Sequence, residues 1–323
     1  LVFEVNGSYE SVFEILFYRI FRFLINLLPL MKIEKQIILS ASFLLFTLFG
    51  CSQNDDTKTP TPSATKDFDL DESALAASGY SKIYEENFTG DLSQWQVWEG
   101  GAFNEELQLY QRQNLIVSNG ILQIKSVKQN VTGPVLPHSD ELSDYAYTSG
   151  RIESNFAIAA SQTNPKIRIS ARIKLPEAYR MWPAFWSYGN PWPTHGEIDI
   201  LEATGEKNGY TTNYYYGDQP DVPITNDDLT SEEITTQKDL ANSYHVYELI
   251  WTKSSITFLL DGEIVETRAA SEPGQQYIPY MFGKTQNIVL NLAVGGTMFE
   301  NLDPSKIQPS SMYVDWVKVF RAD

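Results

Sequence analysis

Residues 192–205 read WPTHGEIDILEATG and set three acids, Glu197, Asp199 and Glu202, among Ile198, Ile200 and Leu201. Charge in so apolar a stretch costs stability, so its presence asks for a use. Side chains alternate along a regular strand, so Glu197 and Asp199 share a face and Glu202 points to the other. One β-bulge between Asp199 and Glu202 restores the parity and places all three on one face. Three carboxylates on one open face repel one another, and at least one is then held protonated near neutral pH. An ionised carboxylate beside a protonated carboxyl is what a retaining glycosidase requires. The first attacks the anomeric carbon and the second protonates the leaving oxygen. The middle acid hydrogen-bonds the nucleophile and tunes it. A calcium site and a solvated acidic edge are the competing readings. Calcium prefers loop geometry and backbone carbonyls to a strand of alternating isoleucines.

Three tryptophans precede the acids: Trp182 and Trp186 in MWPAFW, and Trp192 in Trp192-Pro193. Core packing is the alternative for each alone, but three beside three acids read as the wall of a sugar-binding cleft, since indole faces stack on pyranose rings. His195 lies two residues before Glu197 and shares its face on a regular strand. It would hydrogen-bond substrate, tune an acid or brace the cleft wall. His138 and His245 have no acidic cluster beside them and read as structural. No Gly-rich phosphate loop, Gly-x-Ser-x-Gly or His-Glu-x-x-His occurs, which removes nucleotide, serine-hydrolase and zinc-protease readings.

The elements around these residues have period two. Lys166–Leu175 (KIRISARIKL) alternates polar and apolar, as a strand with one buried face should. Asn119-Gly120 and Asp261-Gly262 each sit between β-rich runs and signal tight hairpins. Tyr313–Arg321 is a further strand, and helical period survives only in short pieces such as Asp239–Ser243. Many short strands with turn signals and no internal repeat predict an all-β fold, a sandwich or β-jelly roll.

With these motifs in order, the sequence resembles glycoside hydrolase family 16, and within it the laminarinase-like group of endo-β-1,3-glucanases. WPAFW…WP..GEIDILE..G carries the resemblance, with FNEELQLY (103–110), YTSGRI (147–152), the Trp251…Asp261-Gly262 hairpin, IVLNLAVGG (288–296) and Val314-Asp315-Trp316-Val317 in support. The resemblance implies a β-jelly-roll sandwich with an open substrate cleft, with Glu197 as nucleophile, Asp199 as its helper and Glu202 as acid/base. It implies substrate contacts from Asn104, Arg151 and Tyr215 beside Trp182, Trp186, Trp192 and His195. Laminarinases commonly carry a His where this chain has Tyr215, and Asn213-Tyr214-Tyr215 is closer to the lichenases, which cut mixed-linkage glucan. A structural calcium is also implied, through Asn87, Gly120 and Asp315, with the amide of Asn87 standing where an acid is usual. No cofactor is required for the chemistry.

The chain has 323 residues with 24 Lys plus Arg against 41 Asp plus Glu, a formal charge of -17. Such acidity repels phosphate backbones and excludes nucleic acid as a partner. The single cysteine, Cys51, excludes an intramolecular disulfide. It closes Leu48-Phe49-Gly50-Cys51, which resembles the bacterial lipobox, after two lysines and an apolar run from Ile37 to Phe49. Residues 1–50 therefore read as an upstream segment and lipoprotein signal peptide. Residues 51–79 read as a flexible polar linker, and 80–323 as the catalytic domain. The expected protein is an exported bacterial lipoprotein of the outer membrane or cell surface, monomeric, touching membrane only through its lipid anchor. Its expected function is retaining endo-hydrolysis of β-1,3-linked glucan. Mixed-linkage glucan, or a galactan of the agarase or carrageenase kind, are the alternative substrates. A glycan-binding lipoprotein without activity is the remaining alternative, though a binder has no need of two mutually repelling glutamates in its cleft.

Overall fold

The computed structural model describes residues 67–323, so the expected signal segment, the lipidation site Cys51 and the tether before residue 67 lie outside the described residues. Strands are numbered in chain order. One sheet runs β16 (Glu263–Ala269), β15 (Ser255–Leu260), β14 (His245–Thr252), β9 (Lys166–Lys174), β18 (Ser311–Ala322), β5 (Ile121–Lys125), β4 (Leu115–Ser118). Strand β1 (Ser81–Glu86) also pairs with β18. A second sheet runs β13 (Glu232–Thr235), β12 (Gly209–Tyr215), β11 (Glu197–Glu202), β10 (Met181–Tyr188), β17 (Asn287–Val294), β8 (Arg151–Ser154), β2 (Trp95–Val97). A small third sheet joins β3 (Gln108–Tyr110), β7 (Leu142–Ser149) and β6 (Val127–Pro134).

The two large sheets share one apolar core. Ile167, Ile169, Ala171 and Ile173 of β9 belong to the same buried cluster as Phe185, Ile198, Leu201, Leu290 and Leu292 of the second sheet. Each large buried aliphatic side chain contributes about 1.5–3 kcal/mol, so this core fixes β10, β11 and β17 as a rigid floor. The expected all-β sandwich is the observed fold. Both predicted hairpins form, with Asn119 and Gly120 at φ 53° and 75°, and Asp261 and Gly262 at φ 53° and 77°. Positive φ at both central residues is the turn that matches strand twist. His245 braces the second hairpin, its Nδ1 lying 2.8 Å from Asp261 Oδ2.

Two local expectations differ from the structure. Asp239–Ser243 forms a turn, in which Asp239 Oδ1 accepts from Ala241 and Asn242 N–H at 3.2 and 3.0 Å. The flexible linker expected over 51–79 gives way near its C-terminal end to a helix, α1 (Glu72–Ala77), whose Leu75 is buried. Asp71 caps it through Ala74 N–H at 3.0 Å. Glu72 ties it to the first sheet, pairing with Lys82 at 2.8 Å and Lys318 at 2.6 Å. Upstream, Arg172 Nε donates to the Phe68 carbonyl at 2.7 Å. The folded body therefore begins before residue 80. Among the described residues no helix is long and apolar enough to cross a membrane.

Candidate active site

Strand β11 is paired on both sides and carries the predicted bulge. Against β10, Phe185 faces Leu201 and Trp186 faces Asp199, which leaves Ile200 as the extra residue. Against β12, the register shifts between Asp199 and Glu202 in the same way. Glu197, Asp199 and Glu202 thereby come to one face, while Ile198 and Leu201 enter the core. A bulge re-aims side chains without breaking the sheet, so the backbone sets the spacing of the acids.

Two of the three acids receive an indole N–H. Trp182 Nε1 donates to Glu202 Oε1 at 2.9 Å, and Trp192 Nε1 donates to Glu197 Oε2 at 2.7 Å. Asp199 is only 3% exposed, and its Oδ2 has no protein partner. Burial holds all three carboxyls above the ordinary carboxylate range. The charge of Glu202 adds to the rise at Glu197 and Asp199, and Asp227 acts in the same direction on all three. The protons therefore belong to the cluster, and it carries fewer than three charges near neutral pH. An attacking carboxylate and a proton donor coexist on one face, which is the requirement of retaining glycoside hydrolysis.

The other predicted residues fall around this cluster. Trp186 stacks on Tyr188 at 5.2 Å between ring centroids and donates from Nε1 to Asn291 Oδ1 at 2.7 Å. Arg151 is buried, paired with Glu153 at 2.6 Å, and lies 4.1 Å over the Trp98 ring and 5.0 Å from that of Trp186. Its guanidinium thus braces the aromatic wall. Asn104 stands exposed at φ 61° in the turn before β3, and its carbonyl accepts from Thr297 N–H at 2.8 Å. A Cβ at Gly296 would meet that carbonyl at 2.8 Å and the Trp182 ring at 3.5 Å, so glycine there lets the Asn104 turn approach Trp182. Tyr215 faces Glu197 across the β11–β12 register and lies 6.2 Å from the Trp192 ring. His195 is hydrogen-bonded to none of the three acids. Its side chain packs where a Cβ on Gly189 would lie, and its carbonyl accepts from Gln286 Nε2 at 3.0 Å. Its Nδ1 is buried without a hydrogen-bond partner.

Several residues of the site went unmarked in the sequence reading. Glu106 accepts from Gln108 at 2.6 Å and Tyr110 at 3.0 Å, and Asn291 Nδ2 donates to the Tyr110 hydroxyl at 3.1 Å. This chain reaches Trp186 through Asn291. Glu106, Tyr110 and Asn291 lay inside quoted motifs, whereas Asp227 lay in a stretch with no motif at all.

The residues implied for calcium do not fit that ion. Asn87 and Gly120 are close, a Cβ on Gly120 falling 3.6 Å from the Asn87 carbonyl. Yet Asp315, the one acid of the set, pairs with the Arg172 guanidinium. A cation that gathers six to eight oxygens would meet a carboxylate already neutralised. Among the described residues no three His, Cys, Asp or Glu side chains are placed to hold a metal, the acids of β11 included.

Known proteins share both sequence and fold with this chain. A glucan endo-1,3-beta-glucosidase A1 of Niallia circulans is 28% identical over 311 residues, covering 87% of this chain; the chain spans 43% of that protein's length. A beta-glucanase of Rhodothermus marinus is 27% identical over 91% of this chain and 98% of its own. A glucan endo-1,3-beta-glucosidase of Cryptopygus antarcticus is 30% identical over 72% of this chain and 88% of its own. Among solved structures, the endo-beta-1,3-glucanase of Pyrococcus furiosus superposes with a TM-score of 0.64 at 26% identity, covering 76% of this chain and 95% of its own. The family model described as glycosyl hydrolases family 16 matches residues 103–318, two thirds of the sequence and all of the cleft apart from Trp98. Sequence, fold and the bulged acid strand agree, and the chain belongs to glycosyl hydrolases family 16.

Proposed function

We propose that this chain is a retaining endo-hydrolase of β-1,3-linked glucan. The bulged face of β11 carries the reading, with Glu197 and Glu202 each under an indole donor and Asp199 buried between them. Glu197 attacks the anomeric carbon while Glu202 gives its proton to the leaving oxygen. Glu202 then takes a proton from water, which hydrolyses the glycosyl-enzyme with retention. Asp199 holds a proton beside Glu197 and limits the charge of the cluster. Trp182, Trp186 and Trp192 offer faces on which neutral sugar rings stack. No step passes through calcium. The substrate class is supported by the printed activities of the Niallia and Cryptopygus relatives.

The same reading extends to location. Cys51 is lipidated and anchors an otherwise water-facing, monomeric domain at the cell surface, where polysaccharide arrives from outside. Reducing-sugar release from laminarin, barley β-glucan, agarose, porphyran and carrageenan, measured side by side, tests the substrate. Laminarin should be cleaved, and activity on a galactan alone would overturn the glucan assignment. Proton NMR of early products should show the β-anomer first. Glu197→Gln should abolish turnover while oligosaccharide binding persists.

A further inference from the structure

After β12 the chain folds back over the strand that it has just left. Ile224 and Thr225 N–H both donate to the Tyr216 carbonyl, at 2.8 and 3.2 Å, and Tyr216 N–H donates to Thr225 Oγ1 at 2.8 Å. The fold-back delivers a short helix, α2 (Asp227–Thr230), against β12. There Asn213 Nδ2 donates to Asp227 Oδ1 at 3.0 Å, and the Tyr215 hydroxyl donates to the same oxygen. Asn213 and Tyr215 are the register partners of Asp199 and Glu197. A fourth carboxylate is therefore fixed one strand from the acid cluster, exposed to solvent, with both of these bonds on one of its two oxygens.

We infer that Asp227 is a substrate-positioning residue, whose carboxylate, held by Tyr215 and Asn213, accepts a hydroxyl hydrogen bond from the sugar unit lying over β12. The inference rests on the glucanase reading above. The two sides of the cleft differ in what they offer a sugar. Over β10 and β8 stand Trp182, Trp186 and the Arg151–Trp98 stack, which orient rings by their faces. Over β12 the Trp192 and Tyr215 rings are joined by the Asp227 carboxylate, and a sugar hydroxyl on a carboxylate makes a charge-assisted bond of defined direction. Two fixed donors preorganise that carboxylate without cancelling its charge, so little ordering remains to be done when sugar binds.

The charge has a second consequence. Asp227 acts on Glu197, Asp199 and Glu202, joined by Glu106 before β3 at Glu202 alone, while Arg151 of β8 opposes it at Glu197 and Arg268 of β16 at Asp199. Asp227 therefore helps to keep the proton on the acid.

Asp227→Asn tests both parts, since the amide oxygen still accepts from Tyr215 and Asn213. KM for a cleaved oligosaccharide should rise about tenfold, the low end for loss of a bond to a charged group in an open cleft, with kcat changed far less. The alkaline limb of kcat/KM should move down by about half a pH unit, as expected for one screened charge nearby. Carbon-13 NMR titration of the glutamate carboxyls in the free enzyme should show the same direction with no substrate present. Asp227→Glu should recover part of the KM. An unchanged KM, or a fall in kcat with the carboxyl titration unmoved, would overturn the inference. An inactive wild type on laminarin would overturn the substrate reading instead, and the KM comparison would be made on whichever glycan is cleaved.

Discussion

The two indole donors allow the roles of Glu197 and Glu202 to be read from solution. Trp192 donates to Glu197 at 2.7 Å and Trp182 to Glu202 at 2.9 Å. An N–H favours the ionised carboxylate, so removing it raises the pKa of its partner. A hydrogen bond to a charged group is worth about 1.5–3 kcal/mol, or about one to two pH units. Water entering the cleft replaces part of the donor, which leaves about one unit. Phenylalanine keeps a ring at either position while removing the donor. The nucleophile must be ionised, so Trp192→Phe should move the acid limb of kcat/KM up by about one unit, with loss of activity at low pH. The acid/base must begin protonated, so Trp182→Phe should move the alkaline limb up by a similar amount and broaden the profile toward high pH. Steady-state rates on laminari-oligosaccharides across pH 4–9 at constant ionic strength measure both. If Trp192→Phe moves the alkaline limb and Trp182→Phe the acid limb, the two glutamates exchange roles. If neither limb moves, the indoles are only sugar platforms and the electrostatic argument fails.

Three further outcomes follow from particular contacts. Asp199 is buried with a raised pKa, so its contribution to stability is present below the unfolded carboxylate value and is lost as pH rises through the folded one. Asp199→Asn should therefore melt above the wild type at pH 8 and level with it near pH 3, by about 1.4 kcal/mol for each unit of the shift; equal melting at pH 8 would show that the carboxyl is not strained. A chain beginning at residue 80 loses the Glu72 pairs with Lys82 and Lys318 and the burial of Leu75, so it should melt several degrees below one beginning at residue 67, and equal midpoints would make α1 dispensable. Cys51→Ala should move the protein from the membrane to the soluble fraction on cell fractionation, and retention in the membrane would place the anchor elsewhere in residues 1–50.

What was legible in the sequence followed from local rules. Strand alternation and Asn-Gly or Asp-Gly turns depend on near neighbours; both hairpins formed as read, and Lys166–Leu175 yielded a strand over Lys166–Lys174, though buried on both faces rather than one. The bulge was legible through parity: three acids over six residues share a face only if one residue is extra, and Ile200 is that residue. The missed features depend on distant partners. Six residues of α1 give too little period to read, and the helix is held by lysines 10 and 246 positions away. Arg168 sits at a polar position of an alternating strand, yet it is buried, because Glu248 on the adjacent β14 meets it at 2.7 Å. Asp227 reaches the site only because the chain doubles back after β12.

This division has a consequence for how the site holds its chemistry and its specificity. Glu197, Asp199 and Glu202 lie on a strand paired on both sides and anchored by Ile198 and Leu201 in the core. Moving any of them means breaking register or opening the core, so their geometry is as rigid as the fold. The loop-borne groups Asp227 and Asn104 are held differently. Asp227 comes from a fold-back, and Asn104 from a turn closed against Gly296. Loops of this kind accept substitution and insertion more readily than the paired strands. Substitution in these loops therefore changes what stands beside the cleft while the acid pair stays fixed beneath it. The Tyr215–Asp227 pair stands at that boundary, with one partner on the strand and the other on the loop.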